Sequence, residues 1–231
     1  MRQRVNTPEL IDLGPSHYTS EEYNECLYQL GRIGRLLGGD RATIWAFNQL
    51  PKNPKSILDV GCGGGQITRK LAYQYPQAKV RGIDLSKEAI AFAKAGTNPL
   101  PRNLKFSICK TPELLEPPKS VDVVTSTLVC HHLSDDEIID FLKRSLTIAR
   151  EAVIFNDLHR HPLATLVFSA IAPICFRNRL IYHDGLLSIK RAFKRSDILA
   201  FLDAAKIPRK AFSLTWHCPF RWILIVYPKK L

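Results

Sequence analysis

The chain has 231 residues, 45% of them hydrophobic and 23% charged, with only 12 Gly and 15 Pro. That composition excludes a disordered, fibrous or low-complexity protein and suits one α/β domain with a sizeable core. The charge is lopsided: residues 143–231 carry 16 basic and 5 acidic side chains, against 17 and 16 in residues 1–142, so the second half suits phosphates, anionic lipid headgroups or an acidic partner.

No apolar run follows the first charged residues, so no secretory signal is read. The longest apolar stretch, 162–176, is too short to span a bilayer. Cys26, Cys62, Cys109, Cys130, Cys175 and Cys218 form no CxxC pair. Reduced thiols and a cytoplasmic location are expected.

In chain order, helical spacing of Tyr23, Cys26, Leu27, Leu30, Ile33 and Leu36 predicts a helix over 20–37, closed by Gly38–Gly39. A shorter helix over 41–49 and a Pro/Lys/Asn linker at 51–55 complete an N-terminal helical cap, residues 1–50. From residue 51 to 231 the pattern is βα. Short apolar strands at 57–60, 79–84, 104–108, 121–127 and 152–157 alternate with helices at 66–75, 86–95 and 134–149. Strands without polar alternation belong to a parallel sheet covered on both faces. Residues 158–192 interrupt the rhythm as an insertion containing the apolar run. A helix at 196–205 and two closing strands, 210–214 and 221–227, end the chain as an antiparallel pair.

The stretch with chemical content is ILDVGCGGGQITRKLA, residues 57–72. A strand ends at Asp59–Val60, a loop with Gly61, Cys62, Gly63, Gly64 and Gly65 follows, and a helix opens at Gln66. Such a loop lets backbone approach a ligand and aims a helix N-terminus at it. The next strand ends in Asp84, 25 residues after Asp59, where an acid can accept both hydroxyls of a ribose. No GK[ST] follows the glycines, which excludes a triphosphate P-loop.

DVGCGGG, GIDLS, VDVVTSTLVCHHL and the closing SDILAFLDAAKI with its paired strands resemble a class I S-adenosylmethionine-dependent methyltransferase, over roughly residues 41–231. LGRIGRLLGG, NDLHRHP and HDGLLSIKRAF further resemble bacterial small-molecule methyltransferases of the quinone and polyketide type. The resemblance implies a Rossmann-like α/β fold with a mostly parallel seven-stranded sheet and S-adenosyl-L-methionine as cofactor. It also implies roles: Asp59 and the Gly61, Cys62, Gly63, Gly65 loop at the amino-acid end, Asp84 at the ribose, Leu85 on the adenine, and Thr127–Leu128 along the methionine. One departure is that Cys109, Lys110 and Thr111 stand where such enzymes often place Gly-Asp-Ala, and lysine cannot accept a hydrogen bond from the adenine amine. A dehydrogenase is the rival, disfavoured by GCGGG and by the terminal strand pair.

For the acceptor, the strand-four segment TSTLVCHH lacks the Asn/Asp-Pro-Pro-aromatic motif of exocyclic amine methylation. Paired strand-end acids for Mg²⁺ are also missing, so no metal is expected. His131, His132 and His183 are the candidate bases for a hydroxyl or acidic carbon, since a histidine near neutrality suits proton removal. Leu163, Leu166, Val167, Ile171, Ile174 and Phe176 would form a greasy lid over a small lipophilic aromatic or quinone-like acceptor. Arg160, Arg177 and Arg179 would rest on an anionic leaflet at the inner face of a membrane. An RNA methyltransferase using the basic half and a non-catalytic cofactor-binding protein remain the alternatives.

Overall fold

The computed structural model describes residues 3–96, 99–111 and 113–231. Its centre is a seven-stranded sheet of order β3-β2-β1-β4-β5-β7-β6. The strands are β1 (Ser56–Val60), β2 (Lys79–Asp84), β3 (Leu104–Ile108), β4 (Val121–Thr127), β5 (Ala149–Leu158), β6 (Phe212–His217) and β7 (Arg221–Val226). β1 to β5 pair in parallel, and β7 inserts antiparallel between β5 and β6. Chain order reverses direction across the sheet at β1 and β4, so ligands are expected outside the carboxyl ends of those two strands.

The helices are α1 (Ser20–Leu36), α2 (Gly39–Asn48), α3 (Gln66–Gln74), α4 (Lys87–Ala95), α5 (Asp135–Ile148), α6 (Pro162–Cys175), α7 (Arg179–Arg191) and α8 (Arg195–Ala204). Reciprocal capping boxes, Thr19 with Glu22 and Ser134 with Glu137, start α1 and α5. One apolar layer joins α5 and α8 to the sheet through Ile138, Leu142, Ile198 and Leu202; the other joins α2, α3 and α4 through Phe47, Leu71 and Ile90. Both faces are therefore dry, as uniformly apolar strands require.

β5 runs Ala149–Leu158 rather than 152–157, and other positions also differ from the sequence expectation. α2 begins at Gly39 rather than 41, because Gly38 takes a left-handed cap (φ 70°). β6 starts two residues late, since residues 209–211 make a 3-10 turn first. Residues 158–192 form two helices, with the Phe168 ring of α6 set against Gly185 of α7, where a Cβ would lie 2.4 Å from Phe168 Cζ.

The residues ahead of α1 carry no helical or strand period. They hold a 3-10 turn, Leu10–Leu13, docked on α7 by the Asp184 carboxylate, which accepts from Leu10 N (2.9 Å) and Ile11 N (3.1 Å).

Candidate active site

At the β1 end, Gly61, Gly63 and Gly65 all have positive φ (69°, 49° and 74°), which L side chains rarely adopt. Two of them also have no room: a Cβ at Gly61 would lie 2.4 Å from Val129 Cγ2, and one at Gly65 2.5 Å from the Phe106 ring. Gly63 differs. Its nearest neighbour would be Leu27 Cδ2 at 4.0 Å, so this glycine faces open space.

The loop is fixed from β2. Gly61 N and Cys62 N donate to Ile83 O (2.9 and 3.0 Å), and Gly63 N donates to Asp84 Oδ2 (2.8 Å). Asp84 Oδ1 accepts from Ser86 N (2.9 Å). Each carboxylate oxygen thus retains acceptor capacity for a ligand hydroxyl. Leu85 beside it is 54% exposed, available to a ligand but not packed in the protein.

Asp59 is fully buried. Its Oδ2 accepts from Thr68 Oγ1 at 2.6 Å, whereas Oδ1 has no partner. Burial, opposed by the Thr68 hydrogen bond and reinforced by the Asp84 charge, pushes its carboxyl up to about 7. A buried acid with one orphaned oxygen is poised to receive a cation. Cys62 is buried and its thiol pushed up by desolvation, so it packs the loop rather than reacting. The same holds for Cys130.

Sequence reasoning missed the roof of this cleft. Tyr23 and Leu27 of α1 pack on Ala89 and Phe92 of α4, and Gly31 lies against Gln66 at the start of α3. The amphipathic spacing announced α1, but nothing in it said which surface α1 would cover.

At the β4 end, Leu128 has φ 58° and donates its N–H to Asn156 O (2.9 Å), while Thr127 Oγ1 lies 3.3 Å from Thr43 Oγ1 of α2. The chain then turns through Cys130–His132. His131 is buried, with Nδ1 2.7 Å from Asp157 Oδ1. His132 has Nδ1 2.8 Å from Asp12 Oδ1 and keeps a quarter of its side chain exposed. The two rings lie together, centroids 4.3 Å apart. His183 is separate, on α7, with Nδ1 2.8 Å from Asp184 Oδ1 and 53% of its side chain exposed.

Each candidate imidazole therefore has one carboxylate at Nδ1, leaving Nε2 as the free nitrogen. Asp157 is held below the usual carboxylate range: burial raises it, but the His131 charge and hydrogen bond outweigh burial. Arg191 fixes this turn from below, donating to His131 O (2.8 Å) and His132 O (2.6 Å). Glu9 and Asp12 were not foreseen, because they reach the histidines across more than a hundred residues of sequence.

The cationic edge expected from Arg160, Arg177 and Arg179 is reduced by the structure. Arg160 is 1% exposed and lies 3.1 Å from Asp197, and Arg179 is bound to Glu22 at 2.7 Å. A basic side chain inside the fold satisfies internal carbonyls and carboxylates before it can meet a surface, here through Arg160 to Ala192 O. The apolar face of α6 does project outward, with Leu166 66% and Ile174 85% exposed. No helix among the described residues is long and apolar enough to cross a membrane.

Comparison with known proteins places this geometry. The family profile described as "Methyltransferase domain" matches residues 57–151. A ubiquinone biosynthesis O-methyltransferase of Pseudoalteromonas translucida is 33% identical over 160 residues, covering 68% of this chain and 65% of the relative. A trans-aconitate 2-methyltransferase of Streptomyces avermitilis is 43% identical over 51 residues, 22% of this chain and 19% of the relative. The chain thus spans less than two thirds of the length of these curated relatives. Among solved structures, the plantazolicin methyltransferase BpumL, in complex with a pentazolic desmethylPZN analog and SAH, shares the fold at TM-score 0.67 and 18% identity. That alignment covers 93% of this chain and 91% of BpumL.

Proposed function

Because the chain belongs to the class I S-adenosylmethionine-dependent methyltransferase family, we propose that it transfers a methyl group from that cofactor to a small, lipophilic aromatic or quinone-like acceptor. The observation that carries this reading is the β1–β2 end. There, an open-faced Gly63 and the two Asp84 oxygens stand at the carboxyl ends of β1 and β2, with the orphaned Asp59 oxygen buried behind the glycine loop.

The residues fit the cofactor group by group. Asp59 would answer the ammonium, the glycine backbone the carboxylate, Asp84 the ribose hydroxyls and exposed Leu85 the adenine face. Thr127 and Leu128 would line the methionine chain. The adenine amine, facing Cys109 to Thr111, would rely on backbone acceptors. When bound, the cofactor supplies an already activated methyl on a sulfonium. What remains for the protein is to align the acceptor and accept its proton. Of the three imidazoles, His183 has the most open side chain, and Asp184 steadies its ring. It is our choice for the base that takes the acceptor hydroxyl proton as the new O–CH₃ bond forms.

The acceptor class is supported by the ubiquinone-pathway relative and by the apolar side chains of α6. That face also supports a peripheral bilayer contact of a cytoplasmic protein, through Leu166 and Ile174 rather than through the paired arginines. Binding to vesicles should then depend weakly on salt, and loss of binding in Ile174→Asp would bear on it.

The test is incubation with methyl-labelled cofactor and fractionated cell extract. Label in the organic fraction is expected. Label in RNA or protein, or in nothing, would contradict the reading.

A further inference from the structure

Glu9, His131 and His132 bring one ligating atom each to within 4.8 Å of one another. His131 Nε2 lies 3.7 Å from Glu9 Oε1, and His132 Nε2 lies 4.0 Å from Glu9 Oε2. Both separations are too long for hydrogen bonds. A carboxylate only 3% exposed and two imidazole nitrogens thus converge on one point without bonding each other.

The far side of each ring is already arranged. Asp157 engages His131 at Nδ1 and Asp12 engages His132 at Nδ1. Carboxylates there keep the Nδ1 proton in place and turn the Nε2 lone pair toward the common point, the usual support of metal-bound histidine. Glu9 is steadied in turn by Ser188 Oγ, which donates to its Oε1 at 2.9 Å.

We propose that Glu9, His131 and His132 bind a first-row divalent cation of the zinc type, which ties the N-terminal segment to the turn after β4.

Two imidazoles and one carboxylate suit Zn²⁺ and its transition-metal neighbours better than Mg²⁺ or Ca²⁺, which take oxygen ligands. Tetrahedral bonds of about 2.0–2.1 Å set ligand atoms roughly 3.3–3.4 Å apart. With the three ligand atoms within 4.8 Å of one another, the side chains must close by up to about 1.4 Å to reach that geometry. Three protein ligands leave one position for water or a ligand oxygen, and the site opens to solvent past His132, its one part-exposed member. Spacing does not announce the site, because Glu9 lies 122 and 123 residues from the two histidines. The site does not use His183, the base proposed above, although Asp184 touches both His183 and the turn that follows Glu9.

The test uses the full chain, stripped with a chelator, dialysed and titrated with Zn²⁺ by calorimetry, with bound metal counted by mass spectrometry. One Zn²⁺ per chain is expected, with a rise in melting temperature on binding. Glu9→Gln and His132→Ala should each weaken binding at least tenfold, and Asp12→Asn by about 10–100-fold, while His17→Ala should not. Co²⁺ should give d–d bands without thiolate charge transfer, which separates this site from the exposed Cys175 and Cys218. Absence of saturable binding, thiolate bands, or unchanged affinity in both Glu9→Gln and His132→Ala would overturn the proposal. Because Asp12 is a surface-side partner, Asp12→Asn still tests the site if Glu9→Gln fails to fold.

Discussion

The two ends of the cleft are built in opposite ways. At the β1–β2 end, Asp59, the glycines and Asp84 lie within 26 consecutive residues, and the geometry is mostly backbone. Beyond β4, the histidines depend on Asp12, Asp157 and Asp184, and Asp184 itself holds residues 174 positions away in sequence. Backbone turns leave a local signature, because positive φ calls for glycine. Carboxylate–imidazole pairs leave none until the fold brings them together. The first end should consequently tolerate changes at Glu9 and Asp12, and the second should not.

The strongest way to break this contrast is at His183. If its imidazole is the base, His183→Ala should lower kcat by about 10²–10⁴ while cofactor affinity barely changes. Steady-state kinetics with an ionisable acceptor, beside calorimetry with the cofactor, reads both. A near wild-type kcat would leave alignment alone as the source of rate.

Next is Asp157→Ala, which leaves His131 buried beside a missing partner. Leaving the buried His131 N–H groups without their acceptor costs about 1–3 kcal/mol, so the denaturant midpoint should fall. An unchanged midpoint would mean that the β4 end is not held by this pair.

A comparable effect, on binding rather than folding, is expected at the local end. Asp84→Ala should weaken cofactor binding by about 1.5–3 kcal/mol, the usual worth of hydrogen bonds to a charged group. Since Asp84 also holds Gly63 N and Ser86 N, a thermal melt must accompany the titration. Wild-type affinity in a folded Asp84→Ala chain would remove the ribose assignment.

The finest probe is the proton on Asp59. Its carboxyl, at about 7 in the fold against 3.8 for the ordinary group, holds a proton that the unfolded chain has already lost. That contribution to stability is full below about 3.8 and declines as pH rises to about 7. The free chain should therefore melt at lower temperature as pH approaches 7. A cationic cofactor would favour the carboxylate, so binding should release up to one proton per chain in this window. Calorimetry in buffers of different ionisation enthalpy measures it, and no release across pH 6–7 would speak against Asp59 facing the ammonium.

The same division explains what the sequence disclosed. All five parallel strands were legible because apolar runs bounded by glycine and polar turns have one reading in a covered sheet. The loop at Gly61 to Gly65 and the acid at Asp84 were legible from spacing. The histidines were legible as residues, since His131 and His132 follow a strand end. Their partners were not: Glu9 and Asp12 sit in a segment with no helical or strand period, ordered by Asp184 and Arg191 from the far end of the chain. Arg160 misled for a related reason, because a surface-type residue type was spent on an internal carbonyl and Asp197.

Cofactor binding beside Gly63 is read by one titration: S-adenosylmethionine into the folded wild-type chain, followed by calorimetry. Saturable binding of one cofactor per chain, competed by S-adenosylhomocysteine, is expected. A correctly folded chain that takes up no cofactor would contradict it.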